Sequence, residues 1–499
     1  MTSDGHNALK EKNSSLLSKS IEITAKDIEL ESDAQSNTWN DQKDMESVSS
    51  FGLVNGGTAG LIYMYITTWF GFTCLIASMA EMASMAPTTG GQYHWVSEFA
   101  PKSWVSVLAW QTGVTSIAFL VASQIQSLLV VLDSHYVFEQ WHATLLIIAV
   151  AFLAVIFNTI LVKRLPLVET IALILHIAGF FVILISLWVL APRNSAKVVF
   201  TQFTDGGGWG NIGLSTLIGI LSPIFAFVGP DSAAHLSEEI RDASLVLPRA
   251  MMATTFLNGL LGFIMLVTFC FCLGDIDTIL ANPEVQPYVL VLKNVTKSNA
   301  GTALLSTILI VLTFCGCISN MATASRQLFA FARDNGVPFA PFLSQVRPGL
   351  DIPVNAVLVS FSITALLSLI NIGSTVAFNA IASLGTAALL SSYIICILCV
   401  RLKRWRNEPL PPARWSLGKY GGLINDLAVA YLVLVFVLTF FPMTKIVTPA
   451  NFNWNVLIYV FTLIFSVAFF FVKGRRIYVG PVMLIKNDVV DSPVDIVKA

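Results

Sequence analysis

Charged residues are scarce in this chain. Only 12% of its 499 residues are Asp, Glu, Lys or Arg, whereas 55% are hydrophobic. Soluble domains carry about 25% charged residues. Half that supply cannot face water on every side, so lipid must cover much of the molecule. A net charge of −1 offers no basic surface to a nucleic-acid partner. Useful cysteine patterns are lacking too. All seven (Cys74, Cys270, Cys272, Cys315, Cys317, Cys396 and Cys399) lie in apolar runs, where they read as small buried hydrophobes. Cys396 and Cys399 spell C-x-x-C, but no second pair or histidine follows at ligand spacing. Neither a metal nor a cofactor is expected. The first fifty residues lack any apolar stretch and hold ten Asp/Glu against five Lys. They read as a disordered acidic tail rather than a signal peptide.

What the sequence has is long apolar runs. About 20 such residues cross the hydrocarbon core as a helix. Eleven stretches qualify or nearly so: 57–80, 104–132, 143–162, 167–191, 212–233, 250–273, 301–325, 354–371, 375–400, 427–444 and 454–472. Between Asp351 and Arg401 lie 49 residues without a charge. That run must hold two spans, with Asn371-Ile372-Gly373-Ser374 as the turn.

Lys/Arg placement sets orientation. The connections after the odd-numbered spans, with the C-terminal tail, hold 19 Lys/Arg, from Lys102 through Arg401, Lys403 and Arg404 to Lys498. Those after the even-numbered spans hold five: Arg193, Lys197, Lys293, Lys297 and Lys445. The bias predicts a cytosolic C-terminus. Asn294-Val295-Thr296, an N-glycosylation pattern, then falls outside. Eleven spans would leave the acidic tail outside, unless one span is absent from this sequence.

Polar groups within spans are informative because they are costly there. The fifth span contains Phe227-Val228-Gly229-Pro230-Asp231, with His235 four residues on. Gly-Pro in mid-helix frees backbone carbonyls. An ionisable residue beside such a break is how transporters present backbone groups to a substrate, although a simple proline kink is the alternative. His235, on the same face as Asp231 if the helix is α, is a candidate proton carrier, or else an inert group at a helix end. Glu169 and His176 share a face of the fourth span. Glu169 reads as structural, in the first helical turn, and His176 as a coupling candidate. At the cytosolic ends, Glu81 precedes a Gly-rich turn, Pro87 to Trp95, and Ser325-Arg326 leads to Arg333-Asp334-Asn335-Gly336-Val337-Pro338, an amphipathic helix end. Their charges, Glu81 included, suit inner-gate ion pairs.

These segments resemble the amino acid/polyamine/organocation superfamily. The motifs are S-M-A-E-M … P-T-T-G-G-Q-Y-H-W through Trp95, Gly229-x-Asp231-x-x-x-His235-x-x-Glu238-Glu239, and Ser325-Arg326 through Pro338. Within it the chain looks like the fungal amino acid–choline group, with permeases for γ-aminobutyrate and choline, over roughly 51–476. The resemblance implies an all-α, LeuT-like fold of twelve helices with a five-plus-five inverted repeat. The first helix of each half is unwound around the substrate. Carried over, the substrate-binding positions are Phe227, Val228, Gly229, Pro230 and Asp231, with Pro230 departing from the tyrosine common there. Residues 50–57 look like the link between the family's first and second helices, so the first helix is expected to be missing. The layout expected is a tail over 1–50, a permease domain over 51–476 and a cytosolic tail over 477–499.

The function implied is proton-coupled, alternating-access transport of amino acids or amines such as γ-aminobutyrate, choline or polyamines, in the plasma membrane rather than the vacuole. A transport-defective remnant or nutrient receptor with the same fold is the rival. A membrane enzyme would need clustered His or acidic residues at one face, and His94, His135, His142, His176 and His235 form no such cluster.

Overall fold

A computed structural model describes residues 49–472, apart from 100–104, 283, 348–351, 374, 449–451 and 470. The acidic tail, the position of the expected first helix, Lys102 and everything from 473 onward lie outside the described residues.

The long apolar runs fold as helices, since a helix pairs its own backbone groups where lipid supplies no partners. In chain order these are α1 (Ser49–Val54), α2 (Gly57–Met85), α3 (Gln92–Phe99), α4 (Val105–Leu132), α5 (Gln140–Thr159), α6 (Leu165–Leu190) and α7 (Ala196–Thr201). Next come α8 (Ile212–Ile218), α9 (Leu221–Phe227), a 3₁₀ helix (Pro230–Glu239), α10 (Ala243–Cys272), α11 (Ile276–Leu280), α12 (Pro287–Thr296) and α13 (Asn299–Arg333). The chain finishes with α14 (Ala340–Leu343), α15 (Val354–Ser368), α16 (Ile370–Gly373), α17 (Thr375–Trp405), α18 (Gly421–Leu438) and α19 (Asn455–Phe469). Among the described residues ten helical stretches are long and apolar enough to cross a membrane, and Asn455–Phe469 is a shorter apolar helix. They coincide with the eleven stretches expected from hydropathy, and the uncharged run divides near the expected place, although Asn371, Ile372 and Gly373 belong to the short helix α16 rather than to a turn and Ser374 lies outside the described residues. Strand pairing among the described residues is limited to two isolated antiparallel bridges, Asn55 with Asp205 and Arg347 with Ile352.

Each span buries one face. In α6, Glu169, His176, Gly179, Phe180, Ile183 and Leu187 point inward at helical spacing, while Ile171, Ile174, Phe181, Ile185 and Trp188 are exposed. An apolar outer face of this size is a lipid-facing surface. Where α2 meets α10, Trp69 lies directly on Gly259, and its Nε1 donates to the Thr255 carbonyl at 3.1 Å. A Cβ at Gly259 would come within 2.0 Å of that nitrogen, so only glycine allows the two helices to approach this closely.

The two ends of the bundle are stitched differently. At one end backbone groups make the links: Gly56 N–H bonds the Thr204 carbonyl, Gly206 N–H the Val54 carbonyl and Lys445 N–H the Gly207 carbonyl, each at 2.9 Å. Asp205 shapes this loop by accepting from Trp209 N and Gly210 N at 2.9 and 2.7 Å. At the other end charged side chains meet. Arg404 pairs with Glu81 at 2.6 Å, and Arg414 pairs with Asp242. Glu81 and Arg404 lie near the C-terminal ends of the first and ninth spans, and Asp242 and Arg414 in the connections after the fifth and ninth. Strict alternation puts those connections on one side, and the geometry agrees.

Candidate functional site

The fifth span breaks where Gly229-Pro230 predicts. Asn211 caps α8, accepting from Leu214 N at 3.1 Å, and α9 carries the chain to Phe227. Val228 is extended, at φ −73° and ψ 133°. Gly229 then takes φ 128°, a region that side-chain-bearing residues rarely enter. Pro230 has no N–H to continue the ladder but suits the first position of a new helix. Val228 and Gly229 are partly exposed, whereas Phe227, Pro230 and Asp231 on either side are buried.

The helix that resumes after the break is not α. Pro230–Glu239 is ten residues of 3₁₀ helix, in a conformation that seldom persists beyond three or four. This corrects the expectation that Asp231 and His235 share a face. At three residues per turn, positions four apart lie about 120° from each other, and the two side chains diverge to different partners.

One partner of each comes from the Gly-rich segment after α2, Thr89 from the turn and Gln92 from the start of α3. The Gln92 amide donates to the Asp231 carboxylate, and the Tyr393 hydroxyl on α17 is also hydrogen-bonded to it. The His235 ring bonds the Thr89 carbonyl through Nδ1 at 2.8 Å and meets Trp110 of α4 edge-on, with centroids 5.3 Å apart. Gln92, Asp231 and His235 are all fully buried. Gly91 lets the turn lie against the histidine, because a Cβ there would come within 2.7 Å of its Cε1. On the other side of the break Phe227 packs on Tyr65 and Phe72 at centroid distances of 5.0 and 5.8 Å. Phe72 in turn meets the Tyr431 ring at 6.0 Å.

The remaining candidates are elsewhere. Glu81, at the end of α2, is buried and accepts from Arg404 Nη2 at 2.6 Å and from Ser416 Oγ and Leu417 N, both at 3.0 Å. Arg404 also donates to Asn425, which donates to Ser78 Oγ at 2.9 Å. Glu81 therefore ties α2 to α17, α18 and the loop between them, as an ion pair at an end of the bundle should. Glu169 is past the first turn of α6, contrary to the helix-dipole expectation, and accepts a hydrogen bond from Ser319 of α13. His176 is buried on the same face of α6. Neither is in the Asp231 cluster.

Gln92, Thr89, Tyr393 and Trp110 escaped the sequence reading. The one available signal was a Gln beside two glycines in a motif already singled out; nothing in it said that the turn folds back onto residues some 140 positions later.

Residues 45–464 match the amino acid permease family. "Amino-acid permease 2" of Neurospora crassa is 29% identical over 451 residues, covering 86% of this chain and 81% of the relative. The choline transporter of Saccharomyces cerevisiae is 28% identical over 438 residues, covering 85% and 77%. An amino-acid permease of Arabidopsis thaliana is 27% identical over 462 residues, covering 86% and 88%. Permeases match this all-α bundle of apolar spans along most of its length, and the chain belongs to the amino acid permease family of integral membrane transporters.

Proposed function

We propose that this permease moves amino acids or related amines, with γ-aminobutyrate, choline and polyamines as the candidate substrates, by alternating access around the break at Val228–Gly229. One observation carries the reading: a partly exposed backbone break flanked by the buried Phe227, Pro230 and Asp231. Backbone groups that have left the helical ladder can bind the polar ends of a small zwitterion or amine. Asp231 supplies a carboxylate two residues after Gly229. A proton is the proposed coupling ion, with Asp231, His235, His176 and Glu81 as the groups able to carry it or gate its path. The proposed setting is the plasma membrane, with the Arg401–Lys419 connection and the C-terminus in the cytosol.

Competition uptake tests the substrate class. Cells expressing the 499-residue chain would be offered one labelled amino acid or amine against a panel of γ-aminobutyrate, choline, polyamines and common amino acids. Saturable uptake, competed by one member of the panel and abolished by collapsing the proton gradient, is the expected outcome. Ligand-dependent signalling without uptake would favour a receptor with a permease fold instead.

A further inference from the structure

The turn Ala86–Gly91 and helix α3 make more polar contacts across the bundle than a simple connection requires. The turn is closed on itself by Gly91 N–H to the Thr88 carbonyl at 3.0 Å and by Trp95 Nε1 to the Ala86 carbonyl at 2.8 Å. As a closed unit it then holds three points on other elements. Gln92 donates to Asp231, the Thr89 carbonyl meets His235 at 2.8 Å, and the Gln92 carbonyl accepts from Cys396 Sγ of α17 at 3.2 Å. Asp231 follows the break at Gly229 by two residues, so its position is tied to that of the broken backbone.

We infer that Gln92 is a positioning residue of the transport cycle: it latches this turn to the 3₁₀ helix, so that the turn and the break move together. The inference rests on the alternating-access reading proposed for this permease. A fully buried amide whose partner is a carboxylate is a costly group to place in a packed wall unless the pairing is used. The polar contacts fix the register of the turn at defined points, while Ala86, Trp95 and Val96 seat the same unit in the apolar core. Gly91 serves the same end, because at φ +52° it lets the turn sit against the His235 ring. When the latch opens, the Gln92 carbonyl leaves Cys396, and that buried thiol becomes reachable.

Cys396 is therefore a built-in reporter. Full-length protein in native membranes would be exposed to N-ethylmaleimide, and alkylation of Cys396 followed by peptide mass spectrometry. Cys270 of α10 and Cys317 of α13, equally buried, are read in the same samples. The wild type should protect all three. Gln92→Leu, which keeps the bulk but removes the donor, should speed alkylation of Cys396 about tenfold or more, the population shift expected when a hydrogen bond to a charged group is lost. Gly91→Ala, which disturbs the His235 contact instead, should do the same. Cys270 and Cys317 should stay at the wild-type rate in both. Wild-type protection of Cys396 in both variants would overturn the latch. So would equal acceleration at all three cysteines, which marks general loosening. The readout needs no substrate, so an absence of uptake would sink the transport reading and leave this result intact.

Discussion

Removing Arg404 should destabilise the protein more than removing Arg404 and Glu81 together. Glu81 is 1% exposed, and its only cation among the described residues is Arg404 at 2.6 Å. Arg404→Leu would leave a carboxylate buried without a counter-charge. Breaking a buried pair from one side costs about 3–5 kcal/mol. The Arg404 side chain is itself 16% exposed, and Ser416 and Leu417 would still donate to Glu81. Both facts favour the lower end, about 3 kcal/mol. In Glu81→Leu/Arg404→Leu the stranded charge is gone, and the remaining cost is the loss of partners for Asn425, Ser416 and Leu417. Apolar replacement of a whole buried pair is often close to neutral, so the double variant should regain at least half of the loss. Thermal unfolding in detergent, followed by fluorescence-detected size exclusion, would rank the midpoints: wild type first, double variant next, Arg404→Leu last. An Arg404→Leu variant melting with the wild type, or a double variant melting below it, would refute the pairing as a buried ion pair.

Three further outcomes are expected. Asp231→Asn should reduce uptake well below the level of Glu169→Gln, because Asp231 adjoins the break while Glu169 is engaged by Ser319 in a helix–helix contact; equal, near-normal uptake in both would remove Asp231 from the site. Asp205 is held below the ordinary carboxylate range, chiefly by the Trp209 N–H. A depressed folded value means the loop gains its full protection above the usual Asp pKa and loses it as pH falls through the lowered one. Asp205→Ala should accordingly speed hydrogen exchange at Trp209 and Gly210 at neutral pH, and an unchanged exchange rate would show that the carboxylate does not shape the loop. Cysteines placed in the 401–419 connection should be labelled only after the cells are permeabilised, and those in 275–299 from outside. Labelling of 401–419 in intact cells would reverse the orientation.

Much of this architecture was legible from hydropathy because a span must satisfy its backbone internally, which leaves long apolar runs as an unmistakable trace. The break was legible for a local reason as well, since glycine followed by proline cannot continue a ladder. The limits appear at longer range. Gly229-Pro230 does not reveal that a 3₁₀ rather than an α-helix comes next, and that difference turns His235 away from Asp231. The pairing of Gln92 with Asp231 and of Glu81 with Arg404 spans 139 and 323 residues, and no periodicity encodes which loop folds onto which helix. Helices α11 and α12 escaped because they are too short or too polar to register as spans. Gly259 looks like an ordinary small residue until Trp69 is seen on top of it.

Flux itself is the most direct test of transport around the broken helix. Purified 499-residue chain would be reconstituted into proteoliposomes, with an imposed proton gradient and the labelled substrate identified by competition. The expected result is saturable, gradient-driven accumulation that Asp231→Asn removes while the variant remains folded by size exclusion. Substrate binding without accumulation, or accumulation indifferent to Asp231, would contradict it.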